Sequence, residues 1–205
     1  MYDIVIIGAG VSGCMLAHKL ARYQLKTAVI EAGCDVASGA TRANSAIVHA
    51  GFDAESGTLK AKLNVDGCTE LPKIAEQLDV PYKNNTSIVA AFSDEDVEKL
   101  RALYERGVKN GVKGLYIADR DEVHRLEPNL SDEVVAALVA PSAGIICPYE
   151  LTIACAENAA INGCEFFFDR RVDRVVDNGD YVTVGAGDFE LEARYVVNAA
   201  GVHSD

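Results

Sequence analysis

The 205-residue sequence lacks several features that would assign it to other classes of protein. Its six cysteines form no C-x-x-C pair and no Cys/His cluster with the spacing of a metal site, so we expect buried free thiols and no metal. No apolar run approaches the ~20 residues that a membrane span needs, and Asp3 stands where a signal peptide would carry positive charge. The sequence therefore predicts a cytoplasmic location and leaves open a peripheral membrane contact.

Basic charge is also scarce in this sequence. It holds 19 Lys and Arg against 31 Asp and Glu, for a net charge of −12, and no basic tract is longer than Arg170–Arg171. Such a chain repels polyanions, so we expect a small-molecule substrate and no nucleic acid partner. The hydrophobic content of 49% is ample for a core and fits one large domain or two small ones.

A glycine-rich turn near the N-terminus carries the main functional signal. The apolar run Ile4–Ile7 predicts a buried parallel strand, and Gly8, Gly10 and Gly13 follow it in G-x-G-x-x-G spacing. The first glycine allows a tight turn, the second lets the backbone approach a pyrophosphate, and the third lets helix and strand pack closely. We therefore expect a dinucleotide site, although such glycines also occur in phosphate-free βαβ turns.

The residues after this turn complete a βαβ unit. Apolar residues at i,i+4 spacing predict an amphipathic helix with its apolar face at Val11, Met15, Leu16 and Leu20. Thr27–Ile30 predicts a second strand, and Glu31 follows about 20 residues beyond the glycines, where a carboxylate accepts hydrogen bonds from ribose hydroxyls.

Periodicity, caps and turn residues predict the remaining elements. Helices are expected at Leu59–Leu78, Asp94–Asn110, Asp119–Arg125 and Glu150–Asn162. Strands are expected at Thr86–Phe92, Val134–Val139, Glu165–Phe168, Tyr181–Val184 and Tyr195–Ala199, with Arg171–Val176 as the hairpin partner of Tyr181–Val184. Ala32–Ser45 is expected to be a loop and Gly144–Pro148 a turn region.

This order of elements predicts two domains. Residues 1–80 and 141–205 would form one nucleotide-binding domain with a continuous sheet. Residues 81–140 would be an insertion between its two portions.

Three separated segments resemble the FAD-dependent oxidoreductases of the D-amino-acid-oxidase type. They are the glycine turn with Glu31, the string GATRANSAIVHAG at Gly39–Gly51, and YVVNAAG at Tyr195–Gly201. The chain is most similar to the branch that includes anaerobic glycerol-3-phosphate dehydrogenase and L-2-hydroxyglutarate oxidase. The resemblance implies an α/β fold: a Rossmann-like FAD-binding domain, with a parallel sheet and a β-meander, interrupted by part of an α+β substrate domain.

The resemblance also implies a non-covalent FAD cofactor and the residues that bind it. The pyrophosphate would lie on the glycine turn, comprising Gly8, Ala9, Gly10, Val11, Ser12 and Gly13, and the adenosine ribose on Glu31 and Ala32. Arg42, Asn44 and Ser45 would line the path toward the flavin, and Val172, Ala200 and Gly201 would approach the adenine side. From the residues alone, the alternative for Arg42 is a solvated loop charge, and Asn44 and Ser45 could equally be turn or N-cap residues.

In this family a hydride passes from a carbon bearing a hydroxyl or amine to flavin N5 while a base takes the heteroatom proton. His49 is our candidate for that base, because imidazole titrates near neutrality. Its other roles would be to pack against the flavin or to hold the loop. His18 is expected to be a surface or packing residue.

One departure from the family pattern affects the expected substrate. Phe52–Asp53 stands where aerobic glycerol-3-phosphate dehydrogenases carry an arginine that suits a phosphate. An acid there disfavours a dianionic substrate, which favours the anaerobic-type and hydroxy-acid branch. Family members are also about twice as long, so we expect this chain to be the N-terminal part of a longer protein.

The sequence leaves three functions open. The leading one is an FAD-dependent dehydrogenase or oxidase that acts on glycerol 3-phosphate or a 2-hydroxy acid, with contact to an electron-acceptor subunit left open. The second is an NAD-dependent dehydrogenase with the same glycine turn. The third is a non-catalytic nucleotide-binding fragment.

Overall fold

The computed structural model describes all residues from 1 to 205. The helices are α1 (Val11–Leu20), α2 (Leu59–Gln77), α3 (Asp94–Asn110), α4 (Arg120–Leu126) and α5 (Pro148–Ile161). The strands are β1 (Tyr2–Ile7), β2 (Thr27–Ile30), β3 (Ile47–Val48), β4 (Tyr82–Lys83), β5 (Ser87–Ala91), β6 (Tyr116–Asp119), β7 (Ala136–Ala140), β8 (Gly144–Ile146), β9 (Glu165–Phe167), β10 (Arg174–Asp177), β11 (Val182–Ala186) and β12 (Phe189–Asn198).

The chain divides into two compact units. The first comprises residues 1–45, 78–80 and 147–205, and the second comprises residues 46–77 and 81–146. These bounds differ from the domains predicted from the sequence at residues 46–77 and 141–146. The difference has a structural reason, because β3 and β8 pair with each other and therefore group together.

The first unit contains a six-stranded sheet with the strand order β10-β11-β12-β1-β2-β9. β1 pairs in parallel with β12 on one side and with β2 on the other, and β2 pairs in parallel with β9. β10, β11 and β12 form an antiparallel meander. The α/β fold with a parallel sheet and a β-meander is therefore confirmed, as is the predicted β10–β11 hairpin.

Small residues form the most buried face of α1. Gly13, Cys14 and Ala17 are buried, whereas the apolar residues predicted to form that face are only half-buried. The periodicity correctly predicted a helix, but its most buried residues are small ones rather than the larger apolar ones. The reason is that α1 packs against α5 as well as against β1, and small side chains allow backbones to approach closely.

The second unit contains two antiparallel three-stranded sheets, with the strand orders β3-β8-β4 and β5-β7-β6. The prediction of a turn at Gly144–Pro148 was wrong, because Gly144–Ile146 is the central strand of the first of these sheets. A side chain on Gly144 would collide with the hydroxyl of Tyr82, so glycine here permits close strand contact. β6 was not predicted.

Helix α3 has the predicted bounds because the signals at both of its ends are local. Ser93 Oγ accepts a hydrogen bond of 3.2 Å from the Asp96 N–H, and three acidic residues occupy the first turn. Gly111 ends the helix in the left-handed conformation, at φ +88°. None of the five helices is both long enough and apolar enough to cross a membrane.

The buried start of α1 makes a testable prediction about two helical glycines. A Cβ on Gly13 would collide with the Gly8 carbonyl oxygen, whereas a Cβ on Gly67 of α2 would meet no atom within 4 Å. Gly13→Ala should lower the free energy of unfolding by about 3 kcal/mol. The control Gly67→Ala should raise it by about 1 kcal/mol, because alanine is the better helix former. Urea denaturation measures both, and equal effects of the two substitutions would contradict the packing described here.

Candidate functional site

The glycine turn between β1 and α1 places three glycines in different surroundings. Gly8 has φ +104°, and a Cβ there would meet the Ala199 carbonyl, while Gly13 packs against the Gly8 carbonyl. The fold therefore requires glycine at both positions. A Cβ on Gly10 would touch only the Thr41 hydroxyl, at 3.2 Å. Packing within the chain gives a much weaker reason for glycine at this position.

The N-terminus of α1 retains its positive pole. Its N-cap residue is Gly10, which has no side chain to accept a hydrogen bond, and its first turn contains no acidic residue. One amide of this turn, Val11 N–H, donates to Thr41 Oγ1 at 3.0 Å. A helix start of this kind is a favourable place for an anion, because unpaired N–H groups and the helix dipole act together.

Glu31, which directly follows β2, accepts two backbone hydrogen bonds, one of them from the glycine turn. One carboxylate oxygen, Oε2, accepts the Ala9 N–H at 2.7 Å, and the other, Oε1, accepts the Gly33 N–H at 2.8 Å. Each carboxylate oxygen has a second lone pair, so these bonds leave acceptor capacity for a ligand. The predicted contact between Glu31 and a ribose stays a prediction.

The glycine turn borders a cleft of about 710 Å³ in the first unit. That volume lies within the range of about 300–1,000 Å³ that is typical of small-molecule and cofactor sites. Ten of the residues predicted to bind a cofactor line this cleft: Gly8, Gly10, Val11, Ser12, Glu31, Ala32, Asn44, Val172, Ala200 and Gly201. The tertiary structure thus brings together residues that are up to 193 positions apart in the sequence, as Gly8 and Gly201 are.

Four predicted cofactor residues do not line the cleft. Ala9 is fully buried, and its N–H and carbonyl groups are both occupied, by Glu31 Oε2 and by the Ala37 N–H. Gly13 is buried in α1, where it packs against the Gly8 carbonyl. Arg42 and Ser45 are exposed at the end of the loop that follows β2. Their contacts with a cofactor stay predictions.

His49, the predicted base, belongs to the second unit. Its side chain is exposed, and its main-chain carbonyl accepts a hydrogen bond of 2.8 Å from Asn64 Nδ2. That bond positions the backbone and leaves the imidazole available. The catalytic role of His49 stays a prediction.

Several cleft residues were missed in the sequence. Thr41, within the GATRANS string, lines the cleft and contacts the first turn of α1, but nothing local in the sequence predicts this contact. The pair Arg170–Arg171 also lines the cleft and directly precedes Val172, which is predicted to approach the adenine. Two adjacent arginines in an acidic chain are the sequence signal that could have identified this part of the cleft.

The arginines of the cleft have different partners. Arg174 forms ion pairs with Glu190, at 2.6 Å, and with Asp173, at 3.1 Å, so its charge is largely compensated. The Arg170 guanidinium lies 5.3 Å from the centre of the Phe189 ring, which is a cation–π geometry. Arg170 therefore adds positive charge to the cleft, because its contact with the Phe189 ring does not neutralise that charge.

Four of the six cysteines are buried free thiols, as expected, but Cys34 is exposed and Cys147 is half-buried. Cys34 lies in the loop after Glu31. Cys14 lies beneath the glycine turn and donates its S–H to the Ala9 carbonyl at 3.3 Å. Burial, with added repulsion from Cys155 and Glu31, raises the pKa of the Cys14 thiol to about 12.

Comparison with known proteins reveals clear relatives. A family model described as FAD dependent oxidoreductase matches residues 3–205. A glycerol 3-phosphate dehydrogenase of Caloramator mitchellensis is 43% identical over the whole chain, which covers 43% of that relative. A mitochondrial L-2-hydroxyglutarate dehydrogenase of Caenorhabditis elegans is 31% identical over the whole chain, which covers 48% of it. The chain thus spans about half the length of the curated relatives it matches.

A solved structure shares the fold at lower sequence identity. The L-alpha-glycerophosphate oxidase of Mycoplasma pneumoniae, solved with FAD bound, superimposes with a TM-score of 0.89 at 24% identity. The match covers 97% of this chain and 54% of that one. At this level of identity the similarity shows the fold alone.

The buried Cys14 thiol makes a prediction about alkaline stability. Its pKa is raised from 9.0 to about 12 in the folded protein, so the folded state holds this proton more tightly than the unfolded state. Its contribution to stability is therefore complete below about pH 9 and is lost as the pH rises toward 12. Urea denaturation across this range should give a shallower loss of stability for Cys14→Ala than for the unsubstituted protein. The exposed-site control Cys34→Ala should keep the original slope, and a Cys14→Ala slope equal to that of the control would contradict the burial.

Proposed function

The chain belongs to the FAD dependent oxidoreductase family, and from this premise we propose that its cleft binds FAD in an enzyme that oxidises a small hydroxy compound. The observation that carries the proposal is the surroundings of Gly10. Gly8 and Gly13 are required by packing, but the space beside Gly10 is limited within the chain only by Thr41. A diphosphate that approaches the backbone is a physical reason for glycine at this position.

The residues of the cleft suit the chemistry of this cofactor. The first-turn amides of α1 would bind the diphosphate, because the first turn holds no acidic residue and the N-cap glycine has no capping side chain. Glu31 would accept hydrogen bonds from the ribose with the lone pairs that its backbone bonds leave free. Arg170, Arg171 and Val172 line the cleft and would border the adenosine portion.

We assign the cofactor site to the first compact unit and part of the substrate domain to the second. This replaces the sequence-based boundaries, 1–80 with 141–205 and 81–140, as the working division of the chain. The support is that every residue lining the cleft described above belongs to the first unit.

The proposed substrate is glycerol 3-phosphate or a 2-hydroxy acid. The relatives described above are named as dehydrogenases of glycerol 3-phosphate and L-2-hydroxyglutarate, and both compounds carry an oxidisable CH–OH group. Bound FAD supplies the hydride acceptor for this oxidation. His49 would take the hydroxyl proton as the general base, and its exposed imidazole is free of the hydrogen bond that holds its backbone. A cytoplasmic location completes the proposal.

Flavin binding tests the proposal directly. The purified protein should show flavin absorption bands at about 370 and 450 nm, either as isolated or after incubation with FAD. Gly10→Ala should weaken FAD affinity at least about tenfold, because its Cβ occupies the approach to the diphosphate, while leaving the fold intact. The control Gly67→Ala, which lies in the second unit, should bind FAD normally. A protein that binds NADH and not FAD, or neither of the two, would refute the proposed function.

The role of His49 can be measured in the flavin-loaded protein with glycerol 3-phosphate and L-2-hydroxyglutarate as alternative substrates. His49→Gln should lower kcat about 100-fold while changing KM little, because it removes proton transfer rather than binding. His18→Gln is the matched control, since His18 bonds Asn158 on α5 at 2.9 Å and has no proposed catalytic role. An unchanged kcat for His49→Gln would contradict the proposed role of His49 as the general base.

A further inference from the structure

The first helix of the chain is capped from a distant loop. α1 begins after Gly10, which offers no capping side chain, and the Val11 N–H instead donates to Thr41 Oγ1, thirty residues later, at 3.0 Å. Serine, threonine, aspartate and asparagine at the N-cap position normally accept a hydrogen bond from the second or third amide of the helix. Here the accepting hydroxyl belongs to a distant loop that borders the cleft.

Thr41 is held firmly in this position. Its side chain is buried, with 8% of the residue exposed, and it lies in a short 3₁₀ helix, Ala40–Arg42. Its carbonyl accepts a hydrogen bond of 2.7 Å from Asn44 Nδ2. Asn44, expected to bind the cofactor, therefore also fixes the residue that contacts the helix.

A second bond joins the same loop to the glycine turn. The Ala37 N–H donates to the Ala9 carbonyl at 3.0 Å, and Ala37 is buried in a left-handed backbone conformation at φ +57°. This conformation is unfavourable for a residue other than glycine, so surrounding contacts must hold it. The loop thus meets the turn at two points, and Thr41 is the one that touches the helix start.

We propose that Thr41 is a positioning residue that holds the loop of residues 32–45 against α1 while preserving the positive pole of that helix for the cofactor diphosphate. The inference rests on the proposed function. A hydroxyl suits both tasks, because it accepts the Val11 N–H without carrying a negative charge. Its own hydrogen is not used in that bond and is available to donate to a phosphate oxygen.

Three substitutions separate the two tasks. Thr41→Ser keeps a neutral hydroxyl and therefore keeps both. Thr41→Asp keeps a capping oxygen, since aspartate caps helices as well as serine does, but its charge opposes an anion at the helix start. Thr41→Val keeps the volume and the branched shape but removes the capping oxygen and the donor.

The experiment combines hydrogen exchange at the Val11 amide, without ligand, with calorimetric titration of FAD, ADP and adenosine. Exchange should stay slow in Thr41→Ser and Thr41→Asp and rise about fivefold or more in Thr41→Val, which loses one hydrogen bond. Affinity for FAD and ADP should change less than about threefold in Thr41→Ser but fall about tenfold or more in Thr41→Asp, and this loss should shrink at high salt. Adenosine, which lacks phosphate, should bind all variants alike. Far-UV circular dichroism verifies that each variant is folded.

The outcomes are distinct. Equal exchange at Val11 in Thr41→Ser and Thr41→Val would overturn the positioning role, and normal ADP affinity in Thr41→Asp would overturn the preserved pole. A protein that binds neither FAD nor ADP before any substitution would refute the proposed function and, with it, the diphosphate part of this inference. The exchange comparison would still decide whether Thr41 holds the loop.

Discussion

The candidate site depends on the close contact between Gly8 and Gly13, in which the Gly8 carbonyl oxygen occupies the space that a side chain on Gly13 would need. This contact brings the first turn of α1 close to the end of β1, so that backbone amides rather than side chains face the cleft. The six-stranded sheet supports the arrangement, because β1 lies between β2 and β12 and both neighbours run parallel to it. The cleft then forms outside the carboxyl ends of these strands, where ligands of open α/β sheets bind.

Glu31 shows how one carboxylate can serve both the fold and the site. Its two oxygens accept the N–H groups of Ala9 and Gly33, so it organises the backbone on both sides of itself before any ligand is present. Such preorganisation reduces the ordering cost of binding. The same acid is predicted to contact the ribose, and its remaining lone pairs make the two roles compatible.

An element can be predicted from the sequence when the residues that determine it are close to it in the chain. Helix α3 was predicted with its observed bounds because Ser93 and Gly111 act within one turn of the helix ends. β2 was predicted because four consecutive buried residues mark a central parallel strand. β8 was missed because its strand character comes from pairing with β3 and β4, which are distant in sequence. Such pairing is invisible to any local pattern.

The sequence by itself determined the parallel sheet with its meander, the glycine turn and ten of the residues that line the cleft, because glycine spacing, apolar runs and caps act over short distances. Only the tertiary structure decided which glycines the fold requires, which oxygen caps α1, and which basic residues border the cleft. Those facts depend on contacts between segments far apart in the chain. The bond from Val11 to Thr41 is the clearest example, since both partners are ordinary residues until folding places them 3.0 Å apart.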